Sequence, residues 1–205
     1  MIVIVDYGMG NLRSILKKLE MIKVKAVISS APEELSRAEK LILPGVGHFG
    51  QGIKNIKESG LLAVLNKKVM EEKTPILGVC LGMQLFAEFS EEGNAEGLGW
   101  IKAKVVRFNF DSLPQKLSIP HVGWNTIDIK QDSLLLRGMD PQTRFYFTHS
   151  YHFDGVDPAH VVATTPYGYD FPSILKQDNI YGTQFHPEKS HLTGLEIYRN
   201  FINFA

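Results

Sequence analysis

Three short apolar runs in the first half of the chain, each followed at once by a turn, limit the fold most strongly. They lie at residues 2–5, 40–43 and 75–79, and a fourth run lies at 25–28. Nearly continuous apolar runs of this length are typical of parallel strands that are buried on both faces. Helical patterns separate them, so the first half predicts a parallel sheet with helices on both faces.

The helices are predicted from the spacing of apolar residues. Positions 12, 15, 16 and 19 are all Leu or Ile, which is the spacing of one helix face, and Asn11 is placed to cap this helix. Further helices are expected after Pro32, at 53–72 with a break at 59–60, at 82–89 and at 193–203.

The second half of the chain is rich in short segments of β-branched and aromatic residues that are separated by turn residues. They indicate an antiparallel or mixed extension of the same sheet. No linker divides the chain, so we expect one domain over 1–205 with an α/β fold, built on an open, mostly parallel central sheet flanked by helices. The predicted strands are 101–108, 125–129, 145–147, 161–165, 171–175 and 180–185.

Composition excludes several classes of protein. Lys and Arg together number 22, and Asp and Glu together also number 22, so the formal net charge is zero. This balance argues against a nucleic-acid partner or an anionic membrane. No apolar run approaches the roughly 20 residues of a membrane span. The run at 1–5 lacks a basic start and ends at Asp6, so it is a strand and not a signal peptide. A single cysteine cannot form an internal disulfide, which fits a reducing cytoplasm.

The lone cysteine, Cys80, stands in a Gly-Val-Cys-Leu-Gly segment between a predicted strand and a predicted helix. A single cysteine is more often a small buried apolar residue than a nucleophile. Here, however, the flanking glycines allow a strained turn, which is the thiol version of the hydrolase nucleophile elbow. The following helix N-terminus favours a thiolate, and the Leu81 N–H is placed to stabilise an oxyanion.

His186 is distinguished among seven histidines by its place at the end of the predicted strand 180–185. Pro187 favours extended backbone there, so the side chains of His186 and Glu188 point to the same side. Glu188 can then fix the imidazole tautomer, which completes a nucleophile, a base and an orienting acid. A metal site on His186 and His191 is disfavoured, because there is no cysteine cluster and Pro187 prevents a helical pairing.

Two glycine-rich turns follow predicted strands. The Pro-Gly-Val-Gly segment at 44–47 is either a plain turn or a ligand-binding loop with a second oxyanion donor, since such loops lie at the carboxyl end of a parallel strand. The Gly-Met-Gly-Asn-Leu-Arg segment at 8–13 suggests a dinucleotide site, but Arg13 stands where the third glycine is required. We expect a tight turn there, near a partner or substrate.

These residues also carry a family resemblance. The segment 78–84 with 186–188 resembles the class I, or triad, glutamine amidotransferases, which have a flavodoxin-like α/β fold. Four further segments are similar to the glutaminase subunits of imidazole glycerol phosphate synthase, and the resemblance spans 6–190. They are Asp-Tyr-Gly-Met-Gly-Asn at 6–11, Pro-Gly-Val-Gly at 44–47, Pro-His-Val-Gly-Trp-Asn at 120–125 and Thr-His-Ser-Tyr at 148–151.

The resemblance implies a role for each matched residue. Cys80 would attack the side-chain amide of glutamine, His186 would protonate the leaving ammonia and then activate water, and Glu188 would orient His186. Leu81 and the Val46–Gly47 peptide would form the oxyanion hole, in a loop that reorients when the partner is primed. Glutamine contacts are implied for Gln84 and Glu92, beside Ser150 and Tyr151, and partner contacts for Asn11, His121, Trp124, Asn125 and Lys189. No cofactor or metal is implied.

The glutaminase motifs occupy nearly the whole chain and leave no room for a domain that consumes ammonia. Free ammonia is mostly ammonium at neutral pH, so direct delivery to a separate partner is expected. The resemblance implies a heterodimer with a (β/α)8-barrel cyclase, which makes imidazole glycerol phosphate and an aminoimidazole carboxamide ribotide in histidine biosynthesis. It also implies low activity alone and high activity when the partner holds its ligand.

Three alternatives stay open to different degrees. A paralogous glutaminase subunit could feed a cell-surface sugar amidation synthase with an identical triad, and segment 181–184 does not decide between them. A peptidase-like cysteine hydrolase is disfavoured by Glu188 and Gln84. An inactive regulatory subunit is disfavoured because all three triad residues are present.

Overall fold

The computed structural model describes residues 1–114, 116–140 and 142–205, which form fourteen strands and six α-helices. The strands are β1 (Ile2–Val5), β2 (Ala26–Ser29), β3 (Lys40–Leu43), β4 (Ile76–Val79), β5 (Ala87–Ser90), β6 (Ala95–Glu96), β7 (Ile101–Arg107), β8 (His121–Thr126), β9 (Asp128–Ile129), β10 (Arg144–His149), β11 (Tyr151–Asp154), β12 (Val161–Tyr167), β13 (Tyr169–Gln177) and β14 (Ile180–Thr183). The α-helices are α1 (Leu12–Met21), α2 (Pro32–Ser36), α3 (Phe49–Glu58), α4 (Leu61–Asn66), α5 (Leu81–Gln84) and α6 (His191–Phe204).

The central sheet has eight strands in the order β2-β1-β3-β4-β14-β13-β12-β9. The first five of these strands are parallel to one another, and β13, β12 and β9 extend the sheet in antiparallel fashion. The predicted fold class, an α/β protein with an open, mostly parallel sheet and an antiparallel extension, is confirmed.

Alternation along β1 shows why this sheet is covered on both faces. Val3 and Val5 belong to one apolar cluster, with α3 and α4, whereas Ile2 and Ile4 belong to the other, with α1 and α6. All four side chains are nearly or fully buried. The continuous apolar runs in the sequence are therefore explained by burial on two sides.

The arrangement of the parallel strands positions the residues after them. Strands β1, β3, β4 and β14 are consecutive neighbours in the sheet and run in one direction. Their carboxyl ends therefore meet at one edge, where the segments that begin at Asp6, Pro44, Cys80 and Gln184 come together.

The second half departs from the prediction in part. Only β9, β12, β13 and β14 extend the central sheet, whereas β8 pairs with β10 in a separate two-stranded sheet. Strands β11, β7, β5 and β6 form another sheet of four strands. Strand propensity identified most of these segments but carries no information on which sheet a strand joins.

The helix predicted at 82–89 is wrong beyond Gln84. Helix α5 ends there, and residues 87–90 form β5, which pairs with β7 and β6. The Phe86 carbonyl accepts hydrogen bonds from the Trp100 and Ile101 N–H groups, at 2.9 Å each. These tertiary hydrogen bonds override a local pattern that is compatible with a helix.

Other predicted boundaries differ less. The helix predicted at 53–72 begins earlier, at Phe49, and breaks at Gly60 as expected, where φ is 73°. Residues 67–71 continue it as a π-helical turn. Asn11 stands at the N-cap of α1, but within the described part of the chain its side chain makes no capping hydrogen bond. Among the described residues, no helix is both long enough and apolar enough to cross a membrane.

Candidate active site

Cys80 occupies a strained turn between β4 and α5. Its backbone has φ 53° and ψ −112°, a conformation that residues with a side chain rarely adopt. A Cβ on Gly82 would lie 1.8 Å from the Leu43 carbonyl oxygen, so only glycine allows α5 to approach the end of β3 this closely. The predicted nucleophile turn is therefore present, and β3 holds it from one side.

The thiol of Cys80 lies among polar groups although it is only 6% exposed. Its Sγ is 3.9 Å from the Thr148 carbonyl oxygen and 3.6 Å from Nε2 of Gln184, which donates to it. The Cys80 N–H donates to the Thr183 carbonyl at 2.8 Å, which ties the turn to the end of β14. The sulfur can therefore receive a hydrogen bond as an anion.

His186 and Glu188 form the predicted pair. His186 has extended backbone (φ −100°, ψ 97°), and its Nδ1 is 2.8 Å from Oε1 of Glu188, with both side chains buried. Burial opposes charge on the imidazole, but the charge of Cys80 and then of Glu188 outweigh it and raise the pKa of His186 to about 10. Within the described ranges, His186 Nε2 is buried and has no hydrogen-bond partner.

Backbone hydrogen bonds hold His186 in place. Its N–H donates to the Tyr146 carbonyl at 2.9 Å, and its carbonyl accepts from the Ser190 hydroxyl at 2.7 Å. The same hydroxyl oxygen accepts from the Tyr146 N–H at 3.0 Å, so Ser190 joins the 186–190 turn to β10. The imidazole is thus carried by backbone with few ways to move.

A cavity of about 480 Å³ opens beside the thiol. It is lined by residues that were predicted at the site, from five separate segments of the sequence, and Pro120, Thr148 and His149 complete its wall. The selected residues that line it are Val46, Gly47, Cys80, Leu81, Gln84, Glu92, Ser150, Tyr151 and Lys189.

The 44–47 loop is held at its start, Pro44, and two residues beyond its end, at Phe49. The Tyr7 hydroxyl donates to the Pro44 carbonyl at 2.7 Å, and Glu92 Oε2 accepts from the Phe49 N–H at 2.8 Å. Between these points Val46 is 40% exposed, and Gly47 has φ +115°. Tyr7 was not selected as a site residue. Burial, with the charge of Cys80 adding to it, raises its pKa far above the ordinary value, so its hydroxyl keeps its proton.

Two buried glutamines connect the cavity to the nucleophile. Gln84 Nε2 donates to the Tyr151 carbonyl at 2.9 Å and to Gln184 Oε1 at 3.0 Å, so both of its N–H groups are used. Its Oε1 is left to accept from a ligand. Gln184 was missed as a site residue, although the sequence predicted a strand to 185, in which residues two positions apart, such as Gln184 and His186, point to one side.

Of the residues expected at a partner surface, Trp124 and Lys189 lie together. Trp124 is 37% exposed and stacks on His191 at 5.1 Å between ring centroids, and the Lys189 ammonium is 5.6 Å from the Tyr146 ring beside it. Val122 and Leu192, 56% and 75% exposed, extend this surface and were missed because exposure cannot be read from composition. We call Val122, Trp124, Lys189, His191 and Leu192 the Trp124 patch.

The other three residues expected at a partner surface differ in exposure. Asn11 is exposed at the start of α1, which contacts the 187–189 turn. His121 is buried, and Asn125 is half-buried with its Nδ2 donating to the Pro166 carbonyl at 2.9 Å. The side chain of His121 is therefore not available at the surface.

The arrangement suits covalent acyl transfer. A thiol at a helix N-terminus, a buried imidazole with a carboxylate on its far nitrogen, and an adjoining cavity are the parts that this chemistry needs. In the part of the chain that the structure describes, no cluster of three or more His, Cys, Asp or Glu side chains could hold a metal ion.

Comparison with known proteins gives the family. The model of the family described as glutamine amidotransferase class-I matches residues 3–204. Two relatives from Methanococcus maripaludis, named imidazole glycerol phosphate synthase subunits HisH 2 and HisH 1, are 49% and 47% identical over 100% and 98% of this chain, with coverage of 100% and 98% of their own lengths. A structure of PurLQS from Thermotoga maritima shares the fold, with a TM-score of 0.76 at 17% identity over 99% of this chain and 97% of that one. The chain belongs to the class I glutamine amidotransferase family.

Proposed function

We propose that the chain hydrolyses glutamine to glutamate and ammonia as the glutaminase subunit of an imidazole glycerol phosphate synthase. The observation that carries the proposal is the buried His186–Glu188 pair, with Nδ1 and Oε1 2.8 Å apart, beside Cys80 and a cavity lined by Val46 and Gly47. The relatives are named as subunits of imidazole glycerol phosphate synthase, which supports a role in histidine biosynthesis. The single cysteine, which cannot form an internal disulfide, supports a cytoplasmic location.

The reaction begins when the Cys80 thiolate attacks the side-chain carbonyl carbon of glutamine. The carbonyl oxygen becomes an oxyanion that accepts from the Leu81 N–H at the start of α5 and from the Val46–Gly47 peptide. His186, whose pKa of about 10 keeps it protonated, delivers its proton to the nitrogen as the C–N bond breaks. Ammonia leaves, and a thioester remains on Cys80.

Hydrolysis of the thioester returns the enzyme to its starting state. Neutral His186 takes a proton from water, whose oxygen attacks the thioester carbonyl, and glutamate leaves as the C–S bond breaks. The thiolate and the imidazolium are then restored together. Glu188 holds the Nδ1–H of His186 throughout and transfers no proton itself.

The cavity offers complementary groups to glutamine. The Gln84 Oε1 accepts an N–H of the substrate, because both N–H groups of Gln84 are already used within the protein. The Glu92 carboxylate lies on the wall beside the 44–47 loop and suits the α-ammonium group. Ser150 and Tyr151 supply backbone along the opposite wall.

The ammonia passes to a cyclase subunit with a (β/α)8-barrel fold, bound as a heterodimer. The Trp124 patch, with exposed Asn11 nearby at the N-cap of α1, is the surface that we assign to this partner. Its centre is a partly exposed tryptophan, a residue type that is enriched at interface centres. We assign residues 1–205 to one glutaminase domain.

One observation keeps a second acceptor open. Methanococcus maripaludis has two relatives, numbered HisH 1 and HisH 2, at nearly equal identity to this chain. Two copies in one organism are expected if one of them serves another synthase, such as a sugar amidation enzyme. The triad would be the same in both.

The deciding experiment measures glutamate release by the purified chain with and without the histidine-pathway cyclase of the same source and its bound ligand. Strong stimulation is expected, and Cys80→Ala should lose it while the complex still uses added ammonia. His186→Asn should be nearly inactive, because nothing then protonates the leaving group. No stimulation, with a cyclase that is active on ammonia, would support the second acceptor instead.

A further inference from the structure

Two buried histidines that take no part in the proposed chemistry connect strand β8 to the glutamine cavity, which His149 lines. His121 begins β8 and His149 ends β10, and the antiparallel register places the two residues directly opposite each other. Their side chains are only 4% and 7% exposed. Cross-strand neighbours on one face of a sheet are close enough to interact directly, and here the two rings do.

The hydrogen bonds of His149 fix its tautomer. Nδ1 is 2.8 Å from the Tyr151 carbonyl oxygen, which can only accept, so Nδ1 carries the proton. Burial lowers the pKa of His149 well below its ordinary value, so the ring is neutral and Nε2 is an acceptor. His121 Nδ1 is 3.2 Å from that Nε2 and therefore donates to it.

The series of hydrogen bonds continues from His121 to Asn125. Burial lowers the pKa of His121 to about 4, so its Nε2 is also an acceptor, and Asn125 Nδ2 donates to it at 3.3 Å. The Asn125 carboxamide is itself held, because Nδ2 also donates to the Pro166 carbonyl and Oδ1 accepts from the Thr126 N–H. The hydrogen bonds therefore all point the same way, with Asn125 donating to His121, His121 to His149, and His149 to the Tyr151 carbonyl.

At the cavity the series of hydrogen bonds ends on an acceptor that His149 and Gln84 share. The Tyr151 carbonyl oxygen accepts from His149 at 2.8 Å and from Gln84 at 2.9 Å. Gln84 in turn bonds Gln184, whose Nε2 is 3.6 Å from the Cys80 sulfur. A displacement of His149 would therefore change the position of the carbonyl on which Gln84 depends.

We propose that His149 is a positioning residue for the glutamine cavity. With His121 it holds the Tyr151 carbonyl, and through that carbonyl the Gln84 carboxamide, in the orientation that presents Gln84 Oε1 to the substrate. It also joins this geometry to Asn125 on β8, the strand that carries Val122 and Trp124 of the Trp124 patch. The inference rests on the proposed glutaminase function and adds a physical link between the substrate site and the partner surface.

The first test is independent of activity. Long-range ¹H–¹⁵N correlation spectra of the ¹⁵N-histidine-labelled chain at pH 7 report which ring nitrogen carries the proton. The expected result is a neutral ring protonated at Nδ1 for both His121 and His149. An Nε2–H tautomer or a charged ring at either position would break the chain of donors and acceptors and overturn the inference.

The second test measures KM and kcat for glutamine in the complex with the ligand-bound cyclase. His149→Phe should raise KM about tenfold, the cost of one misplaced buried hydrogen bond, with a smaller change in kcat. His149→Asn should recover most of the loss, because Asn Nδ2 takes the place of Nδ1 and can still donate to Tyr151. An unchanged KM in His149→Phe would contradict the inference.

His152 supplies the matched control. Its exposure, 4%, is similar to that of His149, and it packs against the same Phe108 ring. Its ring nitrogens, however, bond the Phe153 carbonyl and the Tyr169 hydroxyl, which do not belong to the hydrogen-bond series from Asn125 to Gln84. His152→Phe should leave KM within about twofold of wild type. His152 shares no hydrogen-bond partner with the residues of the cavity, so its loss should alter packing without changing the substrate site. A KM increase equal to that of His149→Phe would indicate general disruption of the core and would overturn the inference.

A double-mutant cycle decides whether His149 acts through Gln84. In a Gln84→Met background the carboxamide is gone, so His149→Phe should cause no further increase in KM. The same fold increase in both backgrounds would show that His149 acts elsewhere. If the wild-type complex hydrolyses glutamine normally but the cycle shows no coupling between His149 and Gln84, only this inference is wrong. If the wild-type complex has no glutaminase activity, the proposed function itself is wrong.

Discussion

At the scale of single residues, the backbone at Cys80 stores strain that serves the chemistry. A residue with a side chain at φ 53° and ψ −112° costs about 1–3 kcal/mol relative to relaxed backbone. The conformation persists because Gly82 packs against the Leu43 carbonyl and the Cys80 N–H is bonded to Thr183. The strain aims the thiol at the cavity and away from the α5 axis.

This strain predicts an unusual stability order. Glycine relieves the strain at position 80, whereas alanine retains it, so Cys80→Gly should be more stable than Cys80→Ala by about 1 kcal/mol, net of the entropy cost of glycine. Urea unfolding of the two inactive variants measures the difference. The reverse order, with alanine more stable, would show that the turn is not strained.

Acid should weaken the fold within a defined range of pH. Burial lowers the pKa of His121 to about 4 and that of His149 well below its ordinary value. The unfolded chain binds these protons near pH 6.5, so stability is complete above about 6.5 and falls as pH drops toward the folded-state values. The free energy of unfolding, measured with urea at several pH values between 7 and 4.5, should fall less steeply as pH drops in His121→Gln than in wild type. The difference in slope should correspond to roughly one proton fewer taken up on unfolding. If the free energy of unfolding depends on pH equally in wild type and His121→Gln, His121 is exposed to solvent in the folded protein.

The residues that carry specific chemistry could be predicted from the sequence, whereas their supporting contacts could not. Cys80, His186 and Glu188 have few alternative roles in such turns. Gln184 reaches the sulfur only because β14 lies beside β4 in a register that pairs Thr183 with Val79. That register is a property of the folded sheet, and the hydroxyl of Tyr7 meets Pro44 for the same reason.

At the scale of elements, long periodic segments were predictable and short ones were not. Helices α1 and α6 have clear apolar faces, and their positions were found to within a few residues. The segment 85–90 has apolar residues at spacings that suit either a helix or a strand, and its pairing with β7 decides the outcome. Local sequence does not contain that partner.

Helix α6 has an unusual C-terminal cap that can be tested. The Lys40 ammonium, on β3, donates to the Phe201, Ile202 and Ala205 carbonyls at 3.0, 2.7 and 2.6 Å. These groups belong to the last turn of α6 and its C-cap residue, where carbonyls lack most of their partners within the helix, although Phe201 also accepts from the Ala205 N–H. Lys40→Met should lower the free energy of unfolding by about 1 kcal/mol, discounted for partial exposure.

The control is Lys54→Met, since Lys54 is 60% exposed and forms only an i,i+4 pair with Glu58 at 3.8 Å. That change should cost no more than about 0.5 kcal/mol. Guanidinium unfolding curves compare the two variants, and hydrogen exchange at the end of α6 should accelerate only in Lys40→Met. Equal stability of the two variants would mean that the cap contributes nothing.

At the scale of the whole molecule, the sheet gathers four strand ends at one edge, and the assigned partner surface lies beside them. Trp124→Ala should weaken binding to the cyclase about tenfold or more, because a central aromatic side chain carries much of the energy of an interface. Isothermal titration calorimetry measures the change. Met70→Ala is the control, since Met70 is 37% exposed but precedes β4 at the opposite, amino-terminal edge. Equal effects of both variants would place the partner elsewhere.

The two anchors of the 44–47 loop have a thermodynamic consequence. Tyr7 fixes the Pro44 carbonyl, and Glu92 fixes the Phe49 N–H, so only the few peptide units between them are free to rotate. A change of state in this loop turns peptide planes in place and exposes almost no apolar surface. Activation by a partner should therefore contribute a negligible heat-capacity change beyond that of the interface itself, and it should cost far less than the opening of a lid.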